Sequence, residues 1–192
     1  MFNKKKKFAL NLKILRILLI PTILILTPFF NNKQEAYAGL EFQWDQDSGF
    51  RRLKWFQKEN RKRFKNKIYF FFRPSDRKAE LLKINLAIPK TFKSTLKNEK
   101  ISFCKVKIGG FDSRTKCLEN IPADIEIKTD ESSLRSIDVY PYKPIPSNKD
   151  SYAIVLRVFN PKKSGLYQFH SYGQPKGQSV SSYLGSWTIV ID

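Results

Sequence analysis

The chain has 192 residues, with 36 Lys and Arg against 17 Asp and Glu, one His and two Cys, for a net charge of +19. One histidine and two cysteines leave too few ligands for a zinc site. They also confine any Ser–His or Cys–His catalytic group to His170.

The N-terminus reads in three parts. Lys4–Lys7, Lys13 and Arg16 are positive, Ile17–Phe30 is an apolar run of fourteen residues, and Ala36-Tyr37-Ala38 is an A-x-A cleavage site. That order predicts a Sec-type signal peptide over residues 1–38, cut after Ala38. The run is shorter than the ~20 residues a spanning helix needs and carries Pro21 and Pro28. No Cys follows the cleavage site and no Arg pair precedes the apolar run, which argues against a lipoprotein anchor and the twin-arginine route. The expected destination is the periplasm or cell envelope, with the thylakoid lumen as an alternative.

Residues 39–192 form one ordinary domain. The first 38 residues hold seven of the basic and one of the acidic residues, so the remainder carries 29 against 16, a net +13. Such a surplus favours anionic partners, although AT-rich codons would also produce a Lys-rich chain. Cys104 and Cys117 are an even pair in an exported chain, for which a disulfide is the default and two separate buried thiols the alternative.

Along the domain the pattern has period two. Leu40, Phe42 and Trp44 alternate with polar residues, and Asp45–Gly49 is a turn. Phe50–Phe56 is a second strand or irregular segment, 57–67 is polar and basic, and Ile68–Phe72 is strongly β-prone. Leu82, Ile84, Leu86 and Ile88 alternate up to Pro89, and 90–100 is a loop or single helical turn. Ile101–Ile108 leads into a hairpin signal at Gly109-Gly110. Ile125–Ile127 and Leu134–Tyr140 are short strands, and a Pro-rich connector follows. Tyr152–Phe159 is the most continuous apolar strand and is predicted to be central. A hairpin loop at Asn160–Gly165, a returning strand at Leu166–Tyr172, a Gly- and Ser-rich loop at 173–186 and a strand at Trp187–Ile191 complete the chain. Eight to ten short strands without a long amphipathic helix predict an all-β fold, a single antiparallel β-sandwich of immunoglobulin-like architecture; a barrel is the alternative.

The basic stretch 51–67 stands out. Arg51, Arg52, Lys54, Lys58, Arg61, Lys62, Arg63, Lys65 and Lys67 face one acid, Glu59, with Phe50, Trp55, Phe56 and Phe64 interleaved. Arg51, Arg52, Arg61, Lys62, Arg63, Lys65 and Lys67 are the candidate anion-binding residues. Basic residues with aromatics suit single-stranded nucleic acid, but export disfavours that partner. Acidic polysaccharide or anionic lipid headgroups fit the compartment better. The alternative is a solvated loop whose aromatics point into the core.

No other motif carries chemistry. Asp45 and Asp47 beside Gly49 resemble the start of a calcium loop, but the bidentate Glu is missing at the required spacing. No G-x-S-x-G accompanies His170, and no carboxylate pair sits in a distinctive context. Neither catalytic residue, metal site nor cofactor is predicted.

Several landmarks form a recognisable set. They are Leu40-Glu41-Phe42-Gln43-Trp44, Ser48-Gly49-Phe50-Arg51-Arg52-Leu53, Ile88-Pro89, Cys104 and Cys117 around Gly109-Gly110, and Pro144-Ile145-Pro146. Phe159-Asn160-Pro161, Gly165-Leu166-Tyr167-Gln168-Phe169 and Leu184-Gly185-Ser186-Trp187 follow. The chain resembles the exported cyanobacterial proteins grouped as domain-of-unknown-function family 2808. The resemblance implies an envelope or lumenal setting and supplies no catalytic residue or ligand. The landmarks also read as fold determinants. Gly165 suits a loop needing positive φ, Pro161 marks a strand end, and Gly185 beside Trp187 would let a backbone pass close to the indole. The leading expectation is a non-enzymatic binding or structural module of the cell envelope. The alternatives are an envelope enzyme acting on polysaccharide, and an accessory subunit that contacts another envelope protein by a sheet edge.

Overall fold

A computed structural model describes residues 49–110 and 113–192. The expected signal segment, Leu40–Trp44, Asp45 and Asp47 lie outside the described residues. The strands are β1 (Trp55–Gln57), β2 (Lys65–Phe72), β3 (Leu81–Ile88), β4 (Ile101–Lys107) and β5 (Lys116–Asn120). β6 (Ala123–Thr129), β7 (Arg135–Pro141), β8 (Tyr152–Phe159), β9 (Gly165–Pro175) and β10 (Ser182–Ile191) follow. Among the described residues the only helical elements are two 3-10 turns, Pro74–Asp76 and Asn98–Lys100. No described helix is long and apolar enough to cross a membrane.

The strands form two five-stranded antiparallel sheets, β1-β2-β8-β4-β5 and β10-β9-β3-β7-β6. They face each other in an immunoglobulin-like sandwich. β8 is the middle strand of the first sheet, and Tyr152–Leu156 are buried without interruption, as a strand covered on both faces requires. Alternation places Ile68, Phe70 and Phe72 between the sheets, where they meet Phe169 and Trp187. Phe70 lies 5.0 Å from each of those two rings, and Phe72 meets the indole edge at 5.3 Å. Phe92, from the loop after β3, closes one end of the core against Phe169 at 5.0 Å.

The loop at 160–165 is not a hairpin, because it crosses from β8 of the first sheet to β9 of the second. Two further segments depart from the sequence expectation. The stretch 173–186 is not one loop, since β9 runs to Pro175 and β10 starts at Ser182. Of its three glycines, Gly177 sits in the turn, while Gly173 and Gly185 read as breakers but serve close contacts. A Cβ on Gly185, at φ +145°, would lie 2.7 Å from the Arg51 carbonyl oxygen. The backbone that passes there is residues 51–53, and it runs on to the indole as expected, since Trp187 Nε1–H donates to the Lys54 carbonyl at 3.0 Å. The Ser186 N–H donates to Arg51 O at 2.7 Å, and the Leu53 N–H to Ser186 O at 2.8 Å. The second of these segments is β5, which the sequence hides because its side chains are mostly exposed and show no apolar alternation.

Cys104 and Cys117 are disulfide-bonded, with Cα atoms 5.8 Å apart, on the outer face of the first sheet. Gly109-Gly110 is not a two-residue turn. The Gly110 N–H donates to Ser113 O and the Gly109 N–H to Thr115 Oγ1, both at 3.0 Å, in a wider loop. That wider loop sets Cys117 opposite Val106, where a two-residue turn would leave Cys104 opposite Thr115, and a register shift at Lys105/Val106 then pairs Cys104 with Asn120. Both sulfurs join a second apolar cluster with Tyr69, Phe71, Val106, Ala153 and Val155. Closing a loop with a sequence separation of 13 stabilises by about 3 kcal/mol in the chain-entropy model. Replacing both cysteines by alanine should lower the unfolding free energy in urea by about 2–4 kcal/mol. An unchanged midpoint would show that the hairpin is held by packing alone.

Candidate anion-binding end

The basic loop between β1 and β2 is built by hydrogen bonds, not by apolar packing. The buried Asn66 Nδ2 donates to the buried Asn160 Oδ1 at 2.9 Å, tying the start of β2 to the end of β8. Asn160 Nδ2 then donates to the carbonyls of Glu59, at 3.1 Å, and Arg61, at 2.8 Å. The Glu59 N–H donates to Asn66 Oδ1 at 3.1 Å. Two buried amides therefore satisfy the loop backbone, and Arg63 takes a left-handed φ of 63°. Asn160 is the landmark of the Asn160-Pro161 dipeptide, and this clamp is what it does.

Charge within the loop is arranged outward. The Arg61 guanidinium donates to Glu59 from Nε at 3.0 Å and Nη2 at 2.7 Å. Those side-chain bonds, joined by the Arg61 backbone N–H, hold the Glu59 carboxyl down to about 2. The same guanidinium lies 4.1 Å above the Phe64 ring. Phe64 is 49% exposed and Phe159, next to it at the end of the sheet, is 61% exposed. These two aromatics do not point into the core.

The structure divides the seven candidate anion-binding residues. Arg61, Lys62 and Arg63 sit on the loop, and Lys65 and Lys67 open β2. Lys67 lies opposite Arg157 and above the Tyr69 ring at 4.8 Å. Arg51 and Arg52 belong to the other end of the sandwich. Arg51 donates to Ser75 O and pairs at 3.4 Å with buried Asp76, which Arg73 also holds at 2.9 Å. Arg52 bridges to Ser186 of β10.

Two other loops supply cations that sequence reasoning missed. Lys90, Thr91 and Lys93, after β3, and Pro161, Lys162 and Lys163, after β8, line a shallow cleft of about 610 Å³. Arg63 joins Lys93 and Lys162 beside Phe159 in an adjoining groove of about 320 Å³. Lys162 and Lys163 lie directly after the Asn160-Pro161 landmark, yet nothing in the sequence places them beside Lys90 and Lys93. Two acids stand near these cations: Asp192, whose backbone carbonyl accepts from the Lys62 N–H at 2.8 Å, and the exposed Asp130, which caps its own hairpin by accepting from the Leu134 N–H at 2.7 Å.

No competing chemistry gathers in the described residues. His170 Nδ1 lies 2.7 Å from Ser186 Oγ, but Ser186 is fully buried and Tyr183 OH holds the same oxygen at 2.6 Å. No cluster of three or more His, Cys, Asp or Glu that could hold a metal occurs among the described residues.

A family model described as a protein of unknown function, DUF2808, matches residues 43–191. The chain belongs to this family. No curated protein matches it. Among solved structures, the DUF2808 chain is similar to the bacterial hydrophobin BslA. That match has 12% identity and a TM-score of 0.45, covering 73% of this chain and 97% of the hydrophobin. A collagen-binding domain from a Staphylococcus aureus adhesin matches at 15% identity and a TM-score of 0.34, over 66% of this chain and 87% of the domain. The collagen-binding subdomain of the Enterococcus faecalis surface protein ACE matches at 11% identity and 0.38, over 71% and 95%.

The Asn66–Asn160 clamp makes a direct prediction for this DUF2808 domain. Asn160→Ala removes three side-chain hydrogen bonds and should cost roughly 1–3 kcal/mol in urea unfolding. Amide exchange across residues 59–63 should speed up more than in the sheets. Unaltered exchange there would mean that something else holds the loop.

Proposed function

We propose that this chain is a non-enzymatic binding module exported to the cell envelope, whose basic end rests on anionic lipid headgroups. Export is supported by the charged, apolar and A-x-A segments at residues 1–38, and the family resemblance supports a cyanobacterial envelope or lumenal setting. The carrying observation is the meeting of Arg63, Lys90 with Lys93, and Lys162 with Lys163 from three separate loops beside the exposed Phe159, with Arg61, Lys62 and the exposed Phe64 on the same loop as Arg63. Cations held together within a Debye length, about 8 Å at physiological salt, act on one surface as a sum.

The phenylalanines favour lipid over acidic polysaccharide. A polymer chain of uronate or phosphate offers ions to the lysines and little to Phe64 and Phe159. A bilayer offers both an anionic surface and an apolar layer just beneath it.

The test is binding of the exported form to phosphatidylglycerol–phosphatidylcholine vesicles. Each cation near such a surface contributes about 1 kcal/mol. Arg61→Glu with Lys62→Glu and Arg63→Glu should then weaken binding about 100-fold or more. Reversing Lys78, Lys143 and Lys149, exposed outside this end, should do much less. Phe64→Ala with Phe159→Ala should weaken binding without altering its salt dependence. Equal losses from the two sets of reversals would reject a localised site. Phenylalanine variants that bind normally, with retained affinity for an acidic polysaccharide such as alginate, would replace lipid by polymer.

A further inference from the structure

The outer face of the second sheet has a different character. From β9, Gln168, His170 and Tyr172 alternate away from the core. Tyr172 lies opposite Tyr183 of β10, with ring centroids 5.8 Å apart, and the His170 ring is 6.4 Å from Tyr183. Ser186 fixes the arrangement from beneath. Its Oγ holds His170 Nδ1 at 2.7 Å and Tyr183 OH at 2.6 Å. A Tyr183 hydroxyl bonded three residues along its own strand lays that ring along the sheet. Tyr172 is 37% exposed, and its hydroxyl makes no hydrogen bond among the described residues.

The next strands continue the row. Asn85 lies opposite Tyr172, and Asp138 opposite Asn85. Asp138 is buried, and accepts from Asn85 Nδ2 at 2.6 Å, Lys128 Nζ at 2.8 Å, Lys83 Nζ at 2.9 Å and Tyr140 OH at 3.1 Å. Burial alone would raise this carboxyl, but the bonds from Asn85, Lys128 and Lys83 outweigh it and hold it down to about 2. Lys128 also pairs with Glu126 at 3.1 Å. Lys83 and Lys128 thus answer Asp138 and Glu126, while Asp124, on the same side of β6, accepts from the Tyr142 hydroxyl at 3.0 Å, so two lysines against three carboxylates leave the face with little net charge.

An open sheet face of low net charge, with two aromatic rings tilted 57° to each other and hydrogen-bonding neighbours, matches one ligand chemistry. Sugar rings present apolar C–H faces and a rim of hydroxyls. Rings of Tyr172 and Tyr183 offer flat apolar area with polar tips. The carbonyl of Asn85, the imidazole of His170 and the Tyr172 hydroxyl offer partners for the rim. An open sheet face suits an extended chain better than a small molecule, which needs a concave pocket. We infer that this face binds a neutral glycan chain, with Tyr172 and Tyr183 as the stacking platform and Asn85 and His170 as its polar contacts. The inference is independent of the lipid reading, because it uses another face and another kind of attraction.

Isothermal titration of the full chain with cellohexaose, chitohexaose, maltohexaose and mannohexaose tests it. At least one should bind saturably, with affinity unchanged by added salt and by the triple reversal at Arg61, Lys62 and Arg63. Tyr172→Ala should weaken binding about tenfold, the scale of one lost aromatic contact, while Tyr172→Phe keeps the ring and most of the affinity. The Tyr172 hydroxyl makes no hydrogen bond among the described residues, so Tyr172→Phe should unfold thermally like the parent, and Tyr172→Ala, which loses the ring contact with Tyr183, should still unfold in one cooperative transition above the titration temperature. Failure of all four sugars to bind, or binding that survives Tyr172→Ala, overturns the inference. Binding that falls with salt or with the triple reversal would move the sugar to the basic end and overturn it as well.

Discussion

The fold depends on one crossing. Residues 51–53 run beside β10 of the second sheet, and two residues later the chain pairs with β2 of the first. Trp187 locks that crossing. Its indole packs on Phe70 and Phe72 from the opposite sheet, and its Nε1–H donates to the Lys54 carbonyl at 3.0 Å. One buried side chain thus joins both sheets and satisfies the backbone between them, which is why the large ring needs a polar partner at its edge. Gly185 leaves room for the passing backbone, where a Cβ would collide with Arg51 O and Leu53. With the crossing set, β1 must turn back through residues 58–64 to become β2, and the basic loop emerges at a fixed end of the sandwich.

That constraint explains how a contiguous basic stretch is divided. Arg51 and Arg52 precede the crossing, at the end where Asp76 is buried and takes up positive charge. Arg61–Arg63 follow it by a whole strand length and a turn, at the end where the loops after β3 and β8 carry lysines. Charge that is even in sequence becomes polarised in space. The second sheet stands apart because its outer charges are paired across strands around Asp138.

The sandwich itself was legible because its signals are local. Period-two alternation at Leu82–Ile88, the unbroken apolar run at Tyr152–Phe159 and the paired cysteines each point to their observed roles. Edge strand β5 was not legible, because an exposed strand has no apolar face to report. Glycines misled at 173–186, since the same residue marks a turn or a tight approach and only the neighbour decides which. The clustering of Lys90, Lys93, Lys162 and Lys163 was invisible for another reason. These residues lie about seventy positions apart, and their meeting is a product of sheet order, which propensity does not encode. Tyr172 and Tyr183 were hidden likewise, one at the end of a read strand and the other inside a segment read as loop.

The central claim is that three loops distant in sequence act as one anion-binding surface. Amide chemical shifts during titration with short-chain phosphatidylglycerol, below its micelle concentration, test it most directly. Residues 61–65, 90–93 and 162–164 should shift together along a single saturation curve, with Arg51 and Arg52 still. Shifts that cover 51–67 and spare 90–93 and 162–164, or that spread evenly over the surface, would contradict it.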